Sequence, residues 1–193
     1  MRTEVLTAAL TILGYLLGSF LPARWVVRRY RGQSPEELGE NPGGNATWRL
    51  AGPVAGITVL LADMAKGALP MLLARWTGLG GWWLLPVAVA PTVGHNWPVY
   101  TRFRGGRGLA AALGALFVLA PAQMVPAAAT GALAALLTRR MPMVGYVGFP
   151  VGLALLLATA PASQAVSALA VMVAVLLRQL GWGRGRSRGA MFR

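Results

Sequence analysis

The chain has 193 residues, 56% of them hydrophobic and only 12% charged, a balance that excludes an ordinary soluble globular domain. A formal net charge of +13 would suit nucleic acid if it covered one soluble face, but the basic residues sit in short segments between long apolar runs, as in an integral membrane protein. With no cysteine, disulfides, thiolate metal sites and a cysteine nucleophile are excluded, and one histidine with five acidic residues leaves little material for a metal site.

A bilayer-spanning helix needs about 20 mostly apolar residues. On that criterion the sequence predicts an all-α integral membrane protein of about seven transmembrane helices, over residues 4–26, 53–75, 82–100, 108–120, 122–138, 143–160 and 162–178. Residues 1–180 are expected to form a single transmembrane helical domain. Residues 181–193 are expected to form a basic, disordered cytoplasmic tail whose arginines rest on anionic lipid headgroups.

The first apolar run lacks a small-residue cleavage site and continues past Gly14 and Gly18, so it reads as a retained helix. Near its end stands Ser19, a residue that either hydrogen-bonds a ligand oxygen or bonds back to its own helix. The longest polar segment, residues 28–52, follows and contains Asn41-Pro42-Gly43-Gly44-Asn45, a turn-rich sequence with two amide side chains. A loop of this length in a compact bundle is often functional, the plainer reading being a linker. In the second span Asp63 and Lys66 are three residues apart and share a helix face. Ionisable groups inside a span are costly unless paired or turned to a polar cavity, so they point to function or to a structural ion pair. Gly67 beside the lysine permits a close backbone approach, and Trp76, Trp82 and Trp83 form an expected outer aromatic belt.

The third span ends in Gly94-His95-Asn96-Trp97-Pro98, followed by Arg102, Arg104 and the turn Gly105-Gly106-Arg107-Gly108. A Gly- and Arg-rich turn at a helix end exposes backbone N–H groups beside fixed positive charge, which suits a phosphate. The plainer reading is a loop whose arginines only set topology. The boundary between the fourth and fifth spans is placed at Ala120-Pro121, and Pro70, Pro86, Pro91, Pro126 and Pro150 fall within spans.

Seven spans put the termini on opposite sides of the bilayer. Of the 18 basic residues, 15 lie in the segments around residues 24–49, 102–107, 139–140 and 178–193, against Arg2 and Arg75 on the other side and Lys66 within a span. The positive-inside rule then places the N-terminus outside and the C-terminus in the cytoplasm. The cationic and amide groups gather in the cytoplasmic half, where they suit an anionic substrate with an apolar tail.

In order and spacing, Gly18-Ser19-Phe20-Leu21-Pro22, Asn41-Pro42-Gly43, Asp63-x-x-Lys66-Gly67-Ala68-x-Pro70, Gly94-His95-Asn96-Trp97-Pro98 and Phe103-Arg104-Gly105-Gly106-Arg107-Gly108 resemble the bacterial membrane acyl-phosphate:glycerol-3-phosphate acyltransferase family, over roughly residues 14–110. The resemblance implies seven spans in the bacterial plasma membrane with the active site toward the cytoplasm. It implies transfer of a fatty acyl group from acyl phosphate to glycerol 3-phosphate, giving lysophosphatidate for phospholipid synthesis, with no metal and no cofactor. Together with the reading of the residues above, it assigns catalysis to Lys66, His95 and Ser19, and substrate binding to Asn41, Asn96, Gly105, Gly106, Arg107 and Gly108, to which the residue reading adds Asn45, Asp63 and Arg104.

The chain departs from the family's pattern at three places. Gln33-Ser34-Pro35 and Leu38-Gly39-Glu40-Asn41 stand where the family has Asp-x-Arg and Gly-Ser-Gly-Asn, so Arg31 or Arg49 is the candidate substitute for the missing arginine. The loop before the sixth span, Thr138 to Met143, has no serine, and Arg178-Gln179-Leu180-Gly181 replaces a His-Arg-x-Asn motif. Two alternatives therefore stand beside acyl transfer to glycerol 3-phosphate. One is a diverged member that uses another phosphorylated acceptor, or binds or regulates without catalysis. The other is a small lipid or anion transporter, against which the absence of internal repeats counts.

Overall fold

The computed structural model describes residues 2–139 and 143–181, with the side chains of residues 144 and 145 left aside; Arg140 and the predicted tail beyond Gly181 lie outside the described residues. The described residues fold as α1 (Arg2–Ser19), α2 (Pro22–Arg31), α3 (Gly44–Ala51), α4 (Pro53–Trp76), α5 (Leu84–Asn96), α6 (Leu109–Leu119), α7 (Pro121–Thr138), α8 (Met143–Thr159) and α9 (Ala162–Gln179). Short 3-10 turns at Gly81–Trp83 and Val99–Thr101 flank α5. Each of the seven predicted segments holds a helix. The 2–31 stretch, α4, α7 and α9 are long and apolar enough to cross a membrane, while α6 and most of α8 are shorter apolar helices.

The first predicted span, 4–26, is not one continuous helix. Pro22 lacks an N–H and disfavours helical backbone at the residue before it, and Leu21 accordingly sits in the extended region at φ −112° and ψ 91°. The chain breaks at Phe20-Leu21 and restarts as α2, which buries Ala23 and Val27 and leaves Trp25 and Tyr30 exposed. The break has a chemical effect. In an unbroken helix the Phe20 carbonyl would accept the Arg24 N–H, but that N–H bonds Leu21 instead, so the Phe20 oxygen is open to another donor.

The 28–52 segment is ordered by its own polar groups. The Glu37 carboxylate accepts the Ser34 N–H at 2.6 Å, one half of a capping box, and this bond holds the Glu37 carboxyl below the usual carboxylate range. Arg24 pairs with Glu36 at 3.1 Å, and Arg31 donates to the Leu50 carbonyl at 2.7 Å. Helix α3 packs on α2 and α4, so the Asn41–Asn45 turn is carried on a folded base.

Two helix pairs approach so closely that only glycine fits. Between α1 and α5, a Cβ on Gly18 would overlap the Pro91 carbonyl, and one on Gly94 would overlap the Tyr15 carbonyl. Between α4 and α6, Gly67 lies on the Ala111 carbonyl and Gly114 on that of Met64. Small residues of this kind let backbones pack without an intervening side-chain layer, the usual basis of helix association in lipid. The apolar core, built around Met71, Val87, Leu119, Leu156 and Val171, fills the bundle away from the polar end. Many large aliphatic side chains point outward instead, among them Leu61, Leu72, Leu136, Leu137 and Leu157. Ala120, at φ −142° and ψ 63°, separates α6 from α7 at the predicted boundary.

Candidate active site

The two glycine contacts bring four helices to one polar point. Gly67 sets α4 against α6, which places Asp63 and Lys66 beside the start of α6; Gly94 sets α5 against α1, which places His95 next to the same point. All three side chains are buried. The Lys66 ammonium pairs with Asp63 Oδ1 at 2.8 Å and donates to the Phe20 carbonyl at 2.7 Å, occupying the acceptor that the break before Pro22 set free. His95 Nδ1 stands 3.6 Å from the same Asp63 oxygen, beyond a hydrogen bond but close enough for the carboxylate to favour one ring orientation. The opposite ring edge lies against Gly106, where a Cβ would overlap both His95 Nε2 and the Pro42 carbonyl.

A cavity of about 420 Å³ opens over this group, lined by Asn41, Asn45, Asp63, His95, Arg107 and Gly108 together with Glu40, Arg49, Leu109 and Ala110. Gly108, at φ 71°, is the residue before the first turn of α6, so Leu109 and Ala110 bring the amino end of that helix to the cavity wall. The unpaired N–H groups of a helix start carry partial positive charge, and with Arg107 and two amides beside them they favour an anion. Arg49 lines the same wall, paired with Glu40 at 2.7 Å. Arg31, the other substitute for the missing arginine, is bonded to Leu50 instead.

Six sequence-predicted residues do not line this cavity: Lys66, which pairs with Asp63 beside it, Gly105 and Gly106 in the turn behind Arg107, and Asn96, Arg104 and Ser19. Asn96 is fully buried and donates from Nδ2 to the Ala174 carbonyl at 2.8 Å, tying α5 to α9; it does not line the cavity. Arg104 is exposed in the turn after Val99–Thr101, outside both cavities, where its carbonyl accepts the Thr101 hydroxyl at 2.8 Å. Ser19 donates its hydroxyl to Tyr15, one helical turn back, at 2.8 Å and accepts the Val99 N–H at 3.4 Å. It lines a different cavity, of about 600 Å³, with Phe20, Arg24, Arg28, Arg29 and Tyr100. Phe20 lines one cavity and Asp63 the other, so the Lys66–Phe20 hydrogen bond joins their walls.

Sequence reasoning gave Arg178 no place in the site, counting it as a topology signal and as part of the stretch that replaces the family's His-Arg-x-Asn motif. Arg178 is buried in the last turn of α9, donating to the Gly105 carbonyl at 2.8 Å and the Gly106 carbonyl at 3.1 Å. A basic residue at the end of an apolar helix reads by default as an interfacial charge, and no spacing rule links position 178 to 105. Among the described residues, no three His, Asp, Glu or Cys side chains gather as a metal site.

The sequence and the fold have counterparts among known proteins. Residues 8–182 match the family described as glycerol-3-phosphate acyltransferase. A glycerol-3-phosphate acyltransferase of Pseudomonas paraeruginosa (strain DSM 24068 / PA7) is 42% identical over 148 residues, 76% of this chain and 78% of that protein. One from Rubrobacter xylanophilus is 45% identical over 118 residues, 61% of this chain and 59% of that protein. The crystal structure of PlsY (YgiH), an integral membrane glycerol 3-phosphate acyltransferase, in its lysophosphatidic acid form superposes with a TM-score of 0.76 at 25% identity, covering 90% of this chain and 87% of that one. The glycerol 3-phosphate form of the same protein gives 0.74 at 24% identity, covering 90% and 88%, and supports the fold. The family match spans most of the chain and the fold agrees with it, and the chain belongs to the glycerol-3-phosphate acyltransferase family.

Proposed function

We propose that this protein is a multi-pass enzyme of the bacterial plasma membrane that transfers a fatty acyl group from acyl phosphate to glycerol 3-phosphate, at a site open to the cytoplasm. The observation that carries the reading is the meeting of Asp63, His95, Asn41, Asn45, Arg107 and the amino end of α6 on one cavity. Acyl phosphate is a mixed anhydride, already activated. The acceptor hydroxyl oxygen forms a bond to the acyl carbon, the bond from that carbon to the phosphate oxygen breaks, and the hydroxyl proton departs. Lysophosphatidate and inorganic phosphate are the products. The enzyme must hold two anions together and accept that proton. Arg107, Asn41, Asn45 and the α6 N–H groups bind phosphate oxygens; Lys66 offsets charge that develops as phosphate leaves; His95, oriented by Asp63, takes the proton.

The test is release of phosphate by purified protein given palmitoyl phosphate and glycerol 3-phosphate. Phosphate and lysophosphatidate should appear in equal amounts, and Lys66→Ala should abolish both. Ser19→Ala should stay within about threefold of wild type, because its hydroxyl serves the Tyr15 carbonyl and a neutral hydrogen bond contributes only about 1 kcal/mol. Phosphate release that does not depend on glycerol 3-phosphate overturns the reading. A second reading, another phosphorylated acceptor, is favoured by Glu40, which lines the cavity and engages Arg49, the cation nearest to it there. Repeating the assay with a panel of phosphorylated polyols separates the two.

A further inference from the structure

The turn at Gly105-Gly106 is held from behind by a side chain more than 70 positions away in the sequence. Arg178 is 5% exposed and places its fork across two consecutive carbonyls, Nη2 on Gly105 at 2.8 Å and Nε on Gly106 at 3.1 Å. One helical turn earlier, the Ala174 carbonyl accepts the Asn96 amide at 2.8 Å. Helix α9 therefore grips both the end of α5 and the turn that follows it.

Peptide planarity converts these bonds into a statement about the cavity. No cis peptide occurs among the described residues, so each carbonyl and the N–H of the next residue point in opposite directions. With the Gly105 carbonyl on Arg178, the Gly106 N–H points the other way, and it is found on the His95 carbonyl at 3.1 Å. With the Gly106 carbonyl also on Arg178, the Arg107 N–H is turned away from α9, and Arg107 lines the cavity next to Gly108 and the first residues of α6. We propose that Arg178 is the positioning residue of the anion-binding turn: by fixing two carbonyls toward α9 it aims the Arg107 N–H, in line with the amino end of α6, at a phosphate oxygen in the cavity. The nature of the anion rests on the acyltransferase reading; the aiming of the turn does not. A planar fork is needed for this task. The single ammonium of lysine carries its donors at one point and cannot keep the same spacing on both carbonyls.

The test compares wild type, Arg178→Lys and Arg178→Met in detergent micelles. It reads binding of inorganic phosphate and of glycerol 3-phosphate by calorimetry, the KM for each substrate, kcat and the unfolding temperature. Arg178→Met should weaken inorganic phosphate binding and raise one phosphate-bearing substrate's KM by roughly tenfold, with kcat within about threefold of wild type, as expected for loss of a binding geometry shared by ground and transition states. Arg178→Lys should fall between, and it alone decides the matter if the methionine variant does not fold. Unchanged phosphate affinity and KM with only a lower unfolding temperature would overturn the proposal, as would a fall in kcat alone. Wild type that binds inorganic phosphate but transfers no acyl group removes the acyltransferase reading and leaves this one to be judged on phosphate affinity. Wild type that binds neither phosphate nor glycerol 3-phosphate overturns this one as well.

Discussion

At the scale of single residues, the site is one carboxylate shared by two partners. Asp63 stands 2.8 Å from the Lys66 ammonium and 3.6 Å from His95 Nδ1, with all three side chains buried. Removing one charge of a buried pair leaves the other uncompensated, at a cost of about 3–5 kcal/mol, whereas replacing both is often close to neutral. Asp63→Asn and Lys66→Met should therefore each lower stability strongly, and the double variant should be more stable than either single one. Thermal unfolding of the four proteins in one detergent gives the coupling energy; additive losses would mean that the pair contributes nothing as a pair. All three residues were legible in the sequence, because an ionisable group in an apolar run has few explanations. The status of Ser19 was not. Whether a serine bonds a ligand or its own helix depends on the position of a carbonyl four residues back, which residue type does not encode.

Elements carry the next level. Gly67 and Gly114 set the α4–α6 distance, and α6 starts at the Gly105-Gly106-Arg107-Gly108 turn while α4 carries Asp63 and Lys66. Gly114→Val pushes a side chain into the Met64 carbonyl, so it should lower both stability and activity by more than tenfold in rate, since overpacking typically costs about 1–3 kcal/mol and here also displaces the site. Gly152→Ala in α8, where the new methyl meets only the Ala127 methyl at 3.1 Å and the end of Met124 at 3.2 Å, should be close to wild type. Activity and unfolding temperature of the two variants check the contrast. Helix positions were readable because apolar runs and prolines mark them; the Ala120-Pro121 boundary is an example. Two elements were not. The break at Phe20-Leu21 was hidden because Pro22 sits in an apolar run that hydropathy alone reads as continuous. Helix α3 begins among glycines and an asparagine that, taken locally, favour a turn; packing on α2 and α4 overrides that preference.

For the whole molecule, the distribution of arginines predicts an outside N-terminus and a cytoplasmic polar end. The native chain contains no cysteine, so single reporters need no background removal. Thr3→Cys should react with a membrane-impermeant maleimide in intact cells, and Thr138→Cys only after permeabilisation; the reverse pattern would invert the topology. The closing of the bundle by α9 was beyond the sequence, because the bonds from Ala174 and Arg178 join residues more than 70 positions apart. The break before Pro22 reaches beyond its own helix. It leaves a backbone oxygen that takes the Lys66 ammonium at 2.7 Å, at the seam between two cavities. A neutral carbonyl is a weaker partner for an ammonium than a phosphate oxygen is. The lysine is thus held by two acceptors, the Asp63 carboxylate of its own helix and this carbonyl, so a proline three positions past Ser19 supplies half of the seat of a charge in another helix.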